Sequence, residues 1–228
     1  MSVRAADKPW PSEPSDRVFR SSEFQRQRER EREREPLLFD VRSRTYTARC
    51  SRHRMSSSAT PVEIGFSLGS NLGDRAGHLS KAKKLIVEDP GAMFLAQSSL
   101  YETEPVGVKP EYRDLAFLNS VLIIASELPA ESWLEKLRII ETELGRERTE
   151  DRFAPRTIDV DILYAGASRV AGGRLVVPHP RWMKRRFVVE PLAEVRPDII
   201  LPNTSKTVQK ILADLKEGES CQRLSLNW

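Results

Sequence analysis

The sequence contains no apolar run approaching the roughly 18–20 residues that cross a bilayer, and its start lacks the apolar stretch of a secretory signal. No membrane partner is therefore expected. Cysteine is nearly absent: Cys50 and Cys221 are the only two, too few for a disulfide framework and suited to a reducing, cytoplasmic setting. Also missing is any G-x-x-x-x-G-K-S/T loop, and the spacing of Gly65, Gly69 and Gly73 is not a dinucleotide fingerprint. A nucleotide, if bound, is not held by a phosphate loop of that type. No internal repeat is visible.

What is present begins with an uneven charge distribution. The chain has 228 residues, 39% hydrophobic and 31% charged, enough for one sizeable core plus a tail. Residues 1–54 carry 14 basic and 9 acidic side chains, leaving 23 and 24 for the rest. The pI of about 9.2 thus describes the tail, and the folded part has no charge excess that would attract nucleic acid. The run QRQREREREREP at 25–36 offers no apolar face, so a disordered basic tail is expected over 1–60 and the folded domain over 61–228. Arginine and serine in the tail suit an organellar transit peptide, but nine acidic residues oppose that reading. Initiation at Met55 is the simpler expectation.

Hydrophobic periodicity predicts the order of elements. Ile64 to Leu68 reads as a strand entering the loop GSNLGD. Asp74 then caps a helix with Leu79, Ala82, Leu85 and Ile86 on one stripe. Met93 to Thr103 forms a second extended run, and Phe117 to Ser126 a third strand that turns Phe117, Asn119, Val121 and Ile123 to one side. A helix opens at Pro129 and closes at Gly145, with Trp133, Leu134, Leu137, Ile140 and Leu144 at helical spacing. A fourth strand follows over Thr157 to Tyr164. The result is α+β: a ferredoxin-like β-α-β-β-α-β sandwich with a C-terminal extension of short strands around VVPHP and a helix near Val208 to Leu215.

The residues that carry chemistry lie in RTIDVDIL, Arg156 to Leu163. On a strand, Asp159 and Asp161 point the same way while Ile158, Val160 and Ile162 enter the core. Two neighbouring carboxylates on a half-buried strand repel, and a hard divalent cation with oxygen ligands relieves them. Arg146, Arg148, Arg152 and Arg156 precede them, and arginine grips phosphate oxygens in pairs. Separately these features also describe a solvated strand and a basic loop. Side by side they predict a polyphosphate site. His179 in VPHP is either a phosphate contact or a turn residue.

Six blocks together resemble the 6-hydroxymethyl-7,8-dihydropterin pyrophosphokinase family: GSNLGD, YETEPVG, FLNSV, IETELGRER, RFAPRTIDVDIL and VPHPRWMKRRFVVEPLAEV, within 62–228. The resemblance implies transfer of pyrophosphate from ATP to a hydroxymethyl pterin, with AMP released, in folate biosynthesis. It implies two Mg²⁺ ions on Asp159 and Asp161, and arginines Arg146 and Arg156 acting on the phosphates. Glu141, Arg148, His179 and Arg185 correspond to nucleotide-site residues. Phe117 and Phe187 correspond to the aromatic pair around the pterin, with Asn119 and Thr103 beside it and Gly69, Ser70, Asn71 and Val106 lining its pocket. The loops Val106 to Leu115 and Glu147 to Pro155 are expected as lids. Small-molecule substrates are the expected partners, in a monomer or weak dimer.

Three positions depart from the family pattern: Phe153 in place of tryptophan, Thr149 in place of lysine and Pro180 in place of tyrosine. They predict altered kinetics with the metal pair retained. Two other classes fit parts of the sequence. A single-stranded RNA-binding module would stack bases on sheet aromatics, although paired acids on a strand repel phosphate. A ligand sensor of the same fold would bind pterin without turning over ATP.

Overall fold

The computed structural model describes residues 60–105, 108–151, 153–215, 220–226 and 228. The expected tail up to residue 59, Val106 and Arg152 lie outside the described residues. Among those described, the architecture is mixed α and β, built on a six-stranded sheet in which every pairing is antiparallel. In chain order the main elements are β1 (Val62–Ser70), α1 (Arg75–Val87), β2 (Met93–Gln97), β3 (Leu100–Thr103), β4 (Phe117–Ser126), α2 (Ala130–Glu143) and β5 (Asp159–Ala165). There follow β6 (Val170–Gly172), β7 (Leu175–Val177), α3 (Arg186–Val195), α4 (Val208–Asp214) and β8 (Cys221–Leu224). Strand order is β5-β1-β4-β3-β8, with β2 also paired to β4 and a small β6-β7 ladder apart.

Period-two alternation divides the sheet into two apolar faces. Ile64, Phe66, Leu68, Leu118, Leu122, Ile124, Ile158, Val160 and Ile162 pack against the apolar stripes of α1 and α2. The opposite face sends Val121, Ile123 and Leu163 against Val188, Val189 and Leu192 of α3 and Val208 and Ile211 of α4. The helix α3 was not expected: Pro191 lies inside it and masks the helical spacing of its buried residues. Its burial of one face on the sheet outweighs the one backbone bond that proline removes. The strand β8 was also not expected; it adds to the free edge of β3.

Two boundaries differ from expectation for local reasons. The single extended run Met93 to Thr103 breaks at Ser98 and Ser99, where the Ser98 hydroxyl takes the Val121 N–H at 3.0 Å and so competes with the ladder. Pro129 sits just before the α2 helix, in an extended conformation, rather than as its first residue.

The third irregularity shapes the site. The β1–β5 register shifts so that Gly65 faces Tyr164 and Phe66 faces Ile162, leaving Leu163 as the extra residue of a bulge. Leu163 and Tyr164 both reach the same face, and the carbonyl of Leu163 is turned to accept the His179 N–H at 2.8 Å. Gly65 makes this possible: a Cβ there would stand 2.3 Å from the Tyr164 ring, which is pinned by a 2.6 Å bond from its hydroxyl to Glu63. Gly65→Ala is expected to destabilise the fold by about 1–3 kcal/mol through overpacking, read as a lower urea midpoint. An unchanged midpoint would show that the ring yields freely.

Candidate active site

The site lies on the half of the second sheet face that α3 and α4 leave open. In that open half β1 contributes only Ser67 and Gly69, so the strand itself forms a flat floor. A Cβ on Gly69 would come within 3.1 Å of the Asn119 side-chain oxygen, which explains glycine there. Above this floor is a cavity of about 500 Å³, a size suited to a drug-sized ligand. Its lining includes Gly69, Thr103, Phe117, Asn119, Arg146, Arg156, Asp159, Asp161, His179, Arg185 and Phe187. Those are most of the residues expected from sequence.

One end of the cavity is aromatic and amide-bearing. Phe117 and Asn119 share a face of β4, and Asn119 donates through Nδ2 to the Thr103 hydroxyl at 2.8 Å. This bond leaves the Asn119 oxygen over Gly69 as an acceptor for donors on a ligand edge. Each aromatic ring carries a guanidinium: Arg156 lies 5.2 Å from the Phe117 centroid and Arg185 lies 5.5 Å from that of Phe187.

The other end is ionic. Arg146 bridges Asp159 and Glu141, and Arg156 approaches the second oxygen of Asp159 at 3.1 Å. Burial works against the Arg146 charge, but Asp159 and Glu141 outweigh it and raise its pKa. Asp161 has weaker company: Arg185 at 3.7 Å and His179 at 3.9 Å. Its side chain is about half exposed on the cavity wall, and desolvation of its carboxyl, then the charge of Asp159, pushes its pKa up to about 6. His179 accepts the Arg181 N–H through Nδ1 at 3.2 Å. Burial, then the charges of Arg185 and Arg181, lowers its pKa to about 4, so near neutral pH it is uncharged with its proton on Nε2, facing the cavity.

Three expected residues sit behind the lining. Glu141 is buried on α2, where it receives Arg146, Arg148 at 2.7 Å and the Val160 N–H at 2.9 Å. It therefore ties the helix to the peptide between the two aspartates. The Ser70 side chain is buried on the helix-facing side, because β1 alternates. Asn71 hydrogen-bonds to the backbone of Arg156. Arg148 is mostly exposed beside Glu141. The cavity also takes in Val108 and Phe153 from the two loops expected as lids, and Ser67, Glu104, Arg181 and Lys184, which were not among the expected site residues. The basic run RWMKRR was a signal for Arg181 and Lys184, and the small residues alternating along β1 were one for Ser67. Over the cavity the two expected lids meet: Lys109 pairs with Asp151 at 2.6 Å, and the Tyr112 hydroxyl donates to it at 3.3 Å.

A more open groove of about 680 Å³ runs past Arg169, Asn203 and Lys206. Its cations are already engaged, Lys206 with Asp214 at 2.7 Å and Arg169 with the Pro202 carbonyl, so we place the chemistry in the smaller cavity.

Acids, guanidinium groups and a neutral histidine at one end, with a flat aromatic and amide end beside them, define a phosphoryl-transfer enzyme that joins a polyphosphate to a planar substrate. Comparison with known proteins agrees. Residues 65–197 match the family model of 7,8-dihydro-6-hydroxymethylpterin-pyrophosphokinase. The chain is 44% identical over 129 residues to a 2-amino-4-hydroxy-6-hydroxymethyldihydropteridine pyrophosphokinase of Bacillus subtilis, covering 56% of this chain and 74% of that one. It is 40% identical over 148 residues to a protein of the same name from Methylorubrum extorquens, covering 65% and 90% respectively. A crystal structure of Plasmodium falciparum HPPK-DHPS with pterin and p-hydroxybenzoate superposes with a TM-score of 0.53 at 14% identity, over 70% of this chain and 44% of that one, and so shares the fold. The chain belongs to the 7,8-dihydro-6-hydroxymethylpterin-pyrophosphokinase family.

The perturbed Asp161 gives a pH test. Its carboxyl titrates near 6 in the folded chain and near its ordinary 3.8 when unfolded, so between those values the folded state binds more protons. Stability of the ligand-free protein therefore falls as pH rises through this window. Asp161→Asn is expected to raise Tm near about pH 7.5 and to change it little near about pH 4. An equal Tm shift at both would contradict the assigned charge crowding.

Proposed function

We propose that this chain transfers the pyrophosphoryl group of ATP to the hydroxymethyl oxygen of 6-hydroxymethyl-7,8-dihydropterin. As a family member it is a pyrophosphokinase, a transferase of folate biosynthesis with ATP as co-substrate. The observation that carries the assignment of roles is the joining, in one cavity, of Phe117, Phe187 and Asn119 to Asp159, Asp161 and their arginines. A pterin is a flat heterocycle that wants π-faces above and below and amide partners at its edge. The aromatic end supplies both.

The residues at the ionic end fit Mg²⁺. No three His, Cys, Asp or Glu side chains among the described residues cluster to hold a metal by themselves, but Mg²⁺ commonly takes one or two carboxylates and completes its shell with substrate phosphates and water. Asp161, short of positive charge, and Asp159 would hold two such ions. Bound there, Mg²⁺ would offset phosphate charge and favour the deprotonated nucleophile.

In the reaction we assign, the hydroxymethyl oxygen attacks the β-phosphorus, a new O–Pβ bond forms, and the bond from Pβ to the α-bridging oxygen breaks. AMP leaves with that bonding pair, and the hydroxyl proton passes to solvent. Arg146 and Arg156 exchange Asp159 for the oxygens of the transferred group, where their charge is worth most in the transition state. His179 donates a hydrogen bond from its Nε2–H to the nucleotide phosphates, alongside Arg185 and Arg148. Glu141 serves the nucleotide end by holding Arg146 and Arg148. Thr103 fixes the Asn119 amide, and the loops around Lys109 and Asp151 close over the cavity to exclude water.

The finer fold assignment belongs to the same reading: with β2 and β3 counted as one interrupted strand, the order β5-β1-β4-β2/β3 supports a ferredoxin-like sandwich. We further assign a cytoplasmic monomer or weak dimer that acts on small molecules and not on nucleic acid.

Purified protein given ATP, Mg²⁺ and the hydroxymethyl dihydropterin should release AMP, identified by chromatography. ADP as the product, or pterin binding without nucleotide turnover, would overturn the assignment. Arg146→Ala is expected to lower kcat about 10²- to 10³-fold in the same assay. Asp161→Ala should abolish AMP release while the circular dichroism spectrum is preserved.

A further inference from the structure

Asn71 follows β1 directly and is 4% exposed. Its side chain does not line the cavity. Its Oδ1 accepts the Arg156 N–H at 2.8 Å, and its own N–H donates to the Arg156 carbonyl at 3.2 Å. Both backbone polar groups of Arg156 are thus tied to one residue 85 positions away in sequence. The regular β1–β5 ladder ends at Gly69 paired with Asp159, and its continuation would place Asn71 opposite Thr157. The chain is one residue out of that register, and the Asn71 amide oxygen stands in for the missing main-chain acceptor. Such a bond is local, specific and made by a residue type whose short amide reaches a neighbouring peptide.

The side chain beyond this clamp is the one the reaction needs. The guanidinium of Arg156 lies over Phe117, and its Nε stands 3.1 Å from Asp159 but makes no aligned hydrogen bond there. The ion pair with Asp159 is thus not locked by an aligned hydrogen bond, and the backbone clamp anchors the main chain from which the guanidinium reaches and changes partners.

We infer that Asn71 is a positioning residue that holds Arg156 between the pterin platform and the phosphates, and not a pterin contact. The inference rests on the role assigned above to Arg156. A positioning residue acts on the chemical step: displacement of a charged group by about 1 Å costs up to about a hundredfold in rate. Asn71→Leu, of similar size and without an acceptor, is expected to lower kcat about ten- to a hundredfold. Pterin affinity, followed by ligand fluorescence, should stay within about threefold. Asn71→Asp keeps an oxygen at the same place and should recover most of kcat. In an Arg156→Ala background, Asn71→Leu should cost little more, since both changes remove one function.

Weakened pterin binding with kcat preserved, or losses that multiply in the double variant, would overturn the inference. Should Asn71→Leu not fold, amide hydrogen exchange in the unaltered protein still decides: the Arg156 amide must exchange slowly, and exchange at the free-peptide rate refutes the clamp. Release of AMP by the unaltered protein is the control that separates failure of this inference from failure of the proposed reaction.

Discussion

Two carboxylates on one face of one strand are the constraint around which this molecule is arranged. Asp159 and Asp161 follow from the pleat of β5, which sends Val160 and Ile162 the other way into the core. Their repulsion has to be offset, and the structure does so unevenly. Asp159 is met by Arg146 and Arg156, whereas Asp161 keeps only distant partners and a raised pKa. The crowded acid and the pair of guanidinium groups that can be exchanged are two halves of one device. In the proposed reading, a cation and a polyanion would balance it.

The sheet makes room for that device by a division of one face. Its inner half is closed by α3 and α4, with Trp182 fully buried. Its outer half is left bare, and the glycines and serine of β1 keep it low. The bulge at Leu163 marks the border between the halves and turns a carbonyl toward His179, bringing the VPHP turn to the rim. Packing thus ends where chemistry begins, and a single backbone irregularity sets both.

Much of this was legible in the sequence. The alternation in FLNSVLIIAS gave the shared face of Phe117 and Asn119, and the DVD spacing gave the paired acids. Most of the residues named from the family resemblance line one cavity. What escaped were features set by tertiary pairing. Pro191 hid α3, whose stability comes from the face it buries on the sheet. The Ser98 hydroxyl broke a strand that propensity made continuous. Ser70, Asn71 and Glu141 read as site residues from their motifs, yet strand alternation and burial place their side chains behind the lining. Their hydrogen-bond partners, in the case of Asn71 and Glu141, could not be read from spacing, because those partners are far apart in the chain.

The central claim is that the acidic pair becomes a binding site only together with a divalent cation and a triphosphate. Calorimetric titration of the protein with α,β-methylene ATP, which cannot transfer the pyrophosphoryl group, tests it most directly. The account predicts binding in the presence of Mg²⁺ that is lost when the ion is chelated, and that the Asp159→Asn, Asp161→Asn double variant does not show. Equal affinity with and without Mg²⁺, or retention of the Mg²⁺ effect in that variant, would contradict it.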